Sequence, residues 1–311
     1  MFTAGRGRRV TLGAVVVGVA IALSGCASSD PLSSGGSTDE DSETLVVGSQ
    51  SYYSNEIIAE IYAQALEDGG FTVDRQFSIG QREVYLPELE AGGIDVFPEY
   101  TGSLLTGLLG PDSEPSGTSE EIYEQLVDAL PSGLSVTEYS EASDQDSWTV
   151  TQAFADKYDL TDLASLKNVT ESITVGGNTE LQTRPYGPDA LSEKYGVTIA
   201  GFTPVQDSGG PLTVKALVDN DIQMANIYTA DPNIEANDLI ALEDPDGLFL
   251  PANVVPVVSS KVNDDAAAIL NAVNAVLTSE DLTELNSESS NEQKSADVIA
   301  EAWLTDNDLI G

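Results

Sequence analysis

Short apolar runs alternate along most of this chain with longer stretches in which apolar residues recur at helical spacing. Residues 44–48 (TLVVG) predict a buried strand, and residues 55–68 predict a helix in which Ile57, Ile58, Ile61, Ala65 and Leu66 share a face. Ser54 and Asn55 are of the type that caps such a helix. Gly69-Gly70 closes it. A second strand over 71–78 and a helix to Glu90 follow. Residues 94–97 predict a third strand, ended by Pro98, with the helix-compatible run TGSLLTGLL directly after it. This β-α-β-α-β-α order predicts a parallel sheet. A Pro/Ser/Gly-rich loop to Thr118, a helix over 119–130 and an edge strand over 134–139 complete the first group of elements.

The pattern then repeats in kind without residue-level repetition. Helices over 151–158 and 161–167 lead to a strand over 172–176 and the loop 177–187. A helix to Tyr195, a strand over 201–205, a helix over 212–220 and a strand over 222–228 follow. The segment DPDGLFLP (244–251) predicts a return crossover, and residues 254–259 predict a strand rejoining the first group. The remainder, 264–309, reads as helices broken near Thr278 and Ser290. The implied organisation is α/β with two lobes: 44–145 with 250–311 as lobe 1 and 146–249 as lobe 2. Two crossovers join them around a cleft, which allows hinged closure.

The N-terminus is a different kind of segment. Arg6, Arg8 and Arg9 precede a short run of small apolar residues, and Leu23-Ser24-Gly25-Cys26 follows. This resembles a lipobox, so residues 1–25 are expected to be a lipoprotein signal peptide and Cys26, the only cysteine, the lipidated residue. Residues 26–43, polar and low in complexity, are expected to be a flexible tether to the extracytoplasmic face of the cell membrane.

Charge narrows the function. Lys and Arg total 12 against 52 Asp and Glu, a formal net charge of −40, and there is no histidine. Nucleic-acid binding has no basic footprint to rest on. Ser-His-Asp and Cys-His triads are excluded, and the commonest zinc ligand is missing. No D-x-D-x-D-G calcium loop occurs. No cofactor or metal is expected. The acidic excess suits a salty environment, where screening relieves self-repulsion.

Candidate chemistry collects at strand ends and helix starts, where α/β folds place ligands. Gln50, Glu83, Tyr100, Trp148, Tyr186 and Tyr228 lie at such points in both lobes. Four are aromatic in a chain with only 6% aromatic residues. Stacked aromatic faces hold quaternary ammonium, which has no N–H to donate. Arg184, two residues from Tyr186, has the geometry to pair a carboxylate. Tyr52 and Tyr53 lie near Gln50 at the start of the first helix, and Arg82 reads as structural.

The runs VVGSQ (46–50), GQREVYLPELEAGGIDVFPEYTGSLLT (80–106), SDQDSWTVT (143–151), QTRPYG (182–187), DSGGPLTVKAL (207–217) and IYTADPNI (227–234) resemble the osmoprotectant-binding lipoproteins of ABC importers. That resemblance implies a type II periplasmic-binding-protein fold and no enzymatic activity. It also implies a ligand such as glycine betaine, choline or carnitine, an ABC permease as partner, and a monomer. By position it implies that Tyr100, Tyr186 and Tyr228 are cage tyrosines, Ser103 a hydroxyl near the ligand and Gln50 an amide contact. Glu83 falls where relatives place an acid facing the cation, and Trp148 where they place another aromatic. Two other readings stand beside it: the same fold taking an amino acid, polyamine or aromatic compound, or an extracellular hydrolase using carboxylate pairs such as Asp144/Asp146 or Glu83/Glu99.

Overall fold

A computed structural model describes residues 44–110, 113 and 115–311. Cys26, the signal segment and the tether lie outside the described residues. The first group of elements runs β1 (Leu45–Gly48), α1 (Tyr53–Asp68), β2 (Val73–Gln76), α2 (Arg82–Glu90), β3 (Val96–Tyr100), α3 (Thr101–Leu109), α4 (Ser119–Ala129) and β4 (Leu134–Val136). The second runs β5 (Asp146–Thr151), α5 (Gln152–Tyr158), a 3₁₀ turn (Leu163–Asn168), β6 (Ile173–Gly177), a second 3₁₀ turn (Thr179–Thr183), α6 (Pro188–Tyr195), β7 (Ile199–Pro204), α7 (Pro211–Val218), β8 (Met224–Tyr228), α8 (Asn233–Ala236) and β9 (Leu239–Ala241). The chain then returns through β10 (Val254–Ser259) to α9 (Asp264–Asn274), α10 (Ser279–Ser290) and α11 (Ala296–Asp306).

Two five-stranded sheets result, in the orders β2-β1-β3-β10-β4 and β7-β6-β8-β5-β9. The three strands expected to be parallel are so, but each sheet is mixed. β10 runs antiparallel to β3, and β5 antiparallel to β8. The reason is the connection: both strands enter their sheets from the opposite half of the molecule rather than through a right-handed helical crossover. Short α8 and β9 were not expected from periodicity, because they lack the length to carry a period.

Both faces of each sheet are covered, so strands read as unbroken apolar runs rather than alternating ones. In the first lobe Val96 and Val254 face a core with Ile58, Leu270 and Trp303, while Phe97 and Val255 face another with Tyr85, Leu105 and Ile122. In the second lobe Val150, Val175 and Met224 pack on one side, and Val214, Leu217 and Ile227 on the other.

The third strand does not stop at Pro98; it continues to Tyr100. Pro98 lies opposite Pro256 in the antiparallel ladder. Both carbonyls point away from the partner strand: Asn55 Nδ2 donates to Pro98 O (2.9 Å) and Thr137 N to Pro256 O (3.1 Å). The two missing N–H groups therefore fall outside the β3–β10 ladder, and neither proline removes a bond from it. Ser54 and Asn55 do not cap α1 either. The helix starts at Tyr53, with Tyr52 at the N-cap and no side-chain cap. Asn55 instead accepts from Gln50 N (2.8 Å) while bonding Pro98 O, tying the end of β1 to β3.

Candidate functional site

Four chain segments converge between the sheets. β1 ends at Gly48 and leads through Gln50 to Tyr52 at the start of α1. β3 delivers Tyr100 straight into α3, where Ser103 occupies the first turn. β8 ends on Tyr228, directly opposite Asp146 at the start of antiparallel β5. The loop after β6 brings Glu180, Arg184 and Tyr186. Gln50, Tyr52, Tyr100, Ser103, Arg184, Tyr186 and Tyr228 line one small cavity of about 40 Å³. It shares Ser103, Asp146 and Tyr186 with a wider groove of about 650 Å³ beside the second crossover.

The aromatic rings come from both halves. Tyr52 stacks on Tyr228, with centroids 5.2 Å apart and planes 28° from parallel, and Tyr186 leans on Phe249 at 5.3 Å. Burial pushes the hydroxyls of Tyr52, Tyr100, Tyr186 and Tyr228 above the usual phenol range, so all four remain neutral. Tyr100 is 4% exposed, and its buried Oη has no hydrogen-bond partner.

Glu99 holds Tyr100 in place. Its fully buried carboxylate takes two bonds of 2.9 Å from Arg82, one from Tyr85 Oη and one of 3.0 Å from Tyr100 N. Both Glu99 oxygens are thus taken up by Arg82, Tyr85 and the Tyr100 N–H, a structural role. Arg82, read as structural, makes this pair and also borders the cavity.

Two expected cage members lie elsewhere. Trp148 is fully buried in the second lobe's core, because β5 turns it inward to meet Val150, Val175 and Met224. Its Nε1 donates to Tyr186 O (3.0 Å), so it positions a cavity residue without lining the cavity. Glu83 is half exposed outside the cavity and pairs with Arg184 Nη1 at 2.8 Å. The expected carboxylate partner of a ligand, Arg184, therefore already holds a carboxylate of its own, from the other lobe.

Three acids outside the expected set of ligand contacts also line the cavity: Asp144, Asp146 and Glu180. Asp144 is buried, and its oxygens accept from Ser54 Oγ (3.2 Å) and Ala230 N (2.9 Å). Burial pushes its pKa up to about 7, and the neighbouring Asp231 and Asp146 charges add to the rise. Burial also raises Asp146, against the pull of Arg82 and Arg184. Glu180 Oε2 is buried without a partner. The spacing Asp144-x-Asp146 before a strand is visible in sequence, but nothing there tells which acid faces inward.

Two mixed α/β sheets, linked by antiparallel return strands and enclosing a cavity at their strand ends, define a two-lobed solute-binding protein of type II. Solved structures with this architecture include a glycine betaine/carnitine/choline ABC transporter protein (19% identity, TM-score 0.69, covering 85% of this chain and 99% of that one). An ABC-transporter choline-binding protein in complex with choline is similar too (16% identity, TM-score 0.63, 86% and 90% covered). The chain belongs to the family described as the substrate binding domain of ABC-type glycine betaine transport system, which it matches over residues 43–306. Similar curated proteins are the carnitine transport binding protein OpuCC of Listeria monocytogenes (23% identical over 281 residues, 85% of this chain and 87% of that protein) and the glycine betaine-binding protein YehZ of Escherichia coli (24% over 270 residues, 83% and 88%). Among the described residues no helix is long and apolar enough to cross a membrane.

Proposed function

We propose that this protein captures a quaternary-ammonium compatible solute of the glycine betaine, choline or carnitine class between its lobes and delivers it to an ABC permease. The observation that carries this reading is the convergence of neutral Tyr52, Tyr100, Tyr186 and Tyr228 from both lobes on one small cavity. Quaternary ammonium presents no N–H, so it needs polarizable faces rather than acceptors in a fixed array. Each face contributes about 0.5–2 kcal/mol, and four desolvated faces at the upper end of that range together reach the roughly 8 kcal/mol of micromolar binding. Gln50 and Ser103 supply the polar edge. In this reading 44–145 with 250–311 and 146–249 close as two bodies, and the protein acts as a monomer held to the outer face of the membrane through lipidated Cys26.

Calorimetry with glycine betaine, choline, carnitine and proline tests the ligand class. Tyr100→Ala and Tyr228→Ala are each expected to weaken binding by about twofold to thirtyfold; unchanged affinity in both would remove the cage. Cys26→Ser is expected to release the protein from the membrane fraction, and continued membrane association would refute the anchor.

A further inference from the structure

The balance of charge around the cavity narrows the class of ligand, and the narrowing rests on the quaternary-ammonium reading. Both arginines that border the cavity are already matched. Arg82 forms a two-bond pair with buried Glu99, and Arg184 pairs with Glu83. The three acids that line the same cavity form no ion pair of their own, although Arg82 and Arg184 act on Asp146. Among the described residues none of Asp144, Asp146 and Glu180 takes part in an ion pair. Asp144 is held only by the neutral donors Ser54 Oγ and Ala230 N, and Glu180 Oε2 by none. The tyrosines are neutral, so they bring no compensating charge.

We propose that Asp144 is the counter-charge for the ligand's ammonium group and makes the site select a net cation, an alkylammonium alcohol, over a zwitterionic betaine. A buried carboxylate without a cationic partner is costly, and a cation set against it removes that cost. A betaine brings the same cation together with a carboxylate. That carboxylate would enter a wall already rich in negative charge, with both guanidiniums engaged elsewhere. Tyr100 lines the same cavity, and its buried, unpartnered Oη is available to bond a ligand hydroxyl, as donor or acceptor. Glu83, outside the cavity, becomes a specificity residue at one remove: by holding Arg184 it withholds the guanidinium that a betaine carboxylate would use.

The test is calorimetric titration of the wild-type protein, Asp144→Asn and Glu83→Gln with choline and with glycine betaine, at pH 8 and constant ionic strength. Wild type is expected to bind choline about tenfold or more tighter than glycine betaine. Asp144→Asn, which keeps an acceptor for Ala230 N, is expected to narrow that ratio by losing choline affinity. Glu83→Gln, a surface change with little bearing on folding, is expected to narrow it by gaining betaine affinity. Wild-type protein that binds glycine betaine as tightly as choline overturns the selection. So does an Asp144→Asn protein that weakens both ligands equally. Binding of neither ligand would instead overturn the quaternary-ammonium reading itself, and this inference with it.

Discussion

Asp144 sits where several tyrosines, two other carboxylates and the start of a helix meet, and this explains why its pKa lies well above the usual carboxylate range. Tyr52, Tyr53, Tyr100 and Tyr228 face it as neutral groups, Asp146 and Asp231 repel its charge, and Ser54 and Ala230 stabilise it by hydrogen bonds. Desolvation dominates, raising the pKa from 3.8 to about 7. A carboxylate raised in the folded state binds a proton there that the unfolded chain has lost. Its stabilisation is therefore complete below the unfolded pKa and lost as pH rises toward 7. Between pH 8 and pH 6 the unliganded protein is expected to gain about 1.4 kcal/mol from this group. Urea denaturation should show that gain in wild type relative to Asp144→Asn; parallel pH curves for the two proteins would contradict it. A bound cation reverses the sign, because it favours the ionised form and releases the proton.

At the scale of the element, the turn from β3 into α3 is held by ionic contacts rather than by a cap. Tyr100 is the N-cap of α3, with no side-chain cap bond, and the adjacent Glu99 carboxylate receives its N–H. Arg82 from α2 neutralises Glu99, while Tyr85 bonds it and stacks on Phe97 at 4.0 Å. Deleting one partner of a buried pair leaves the other charge uncompensated. Arg82→Leu is expected to cost about 3–5 kcal/mol of stability, measured by denaturant unfolding, and a loss below about 1 kcal/mol would show that the buried pair contributes little. The loop before α7 is organised in a similar way. Asp207 Oδ2 accepts from Leu212 N (2.6 Å) and Thr213 N (3.1 Å), and Gly209 adopts φ +82° where a Cβ would meet Ile227 Cα at 2.9 Å. These contacts give the DSGGPLT run a structural reason for its composition.

Across the whole molecule, the lobes meet through the Tyr52–Tyr228 stack and through polar contacts of modest strength. Arg184 bonds Glu83, Gln81 Nε2 bonds Ser208 Oγ at 3.2 Å, and Tyr53 Oη bonds Asp231 at 2.9 Å. Contacts of this kind can form and break as a hinge moves. The net charge of −40 acts on the same scale. Screening lengths fall from about 10 Å at 0.1 M to about 3 Å at 1 M salt, so repulsion among surface acids weakens across that range. The thermal midpoint is expected to rise by several degrees, about 2–4 °C for each kcal/mol relieved, from low-salt buffer to molar salt. A midpoint as high in low salt as in molar salt would rule out self-repulsion as a destabilising factor.

Local chemistry was enough to read most of the succession of elements, short α8 and β9 excepted, because apolar runs and helical spacing are properties of neighbouring residues: TLVVG, the Ile57–Ile61 face and VVPVVS each announce themselves. The tyrosines at strand ends were legible for the same reason, since the fold class says where strand ends go. Neighbouring residues do not encode what each position along a strand will meet. Trp148 and Asp146 lie two positions apart on β5, yet the first is packed into the core and the second borders the cavity. Asp144 was visible as an acid but not as a buried one, because its burial comes from α1 and the end of β8, 90 and 86 residues away along the chain. The pairing of Arg184 with Glu83 likewise depends on two lobes meeting. Residue order and local pattern were thus enough for the class of fold and for placing tyrosines at the strand ends that border the cavity. The tertiary structure decided the site's charge, because charge in a cavity depends on which ions are left without partners once every element has been packed.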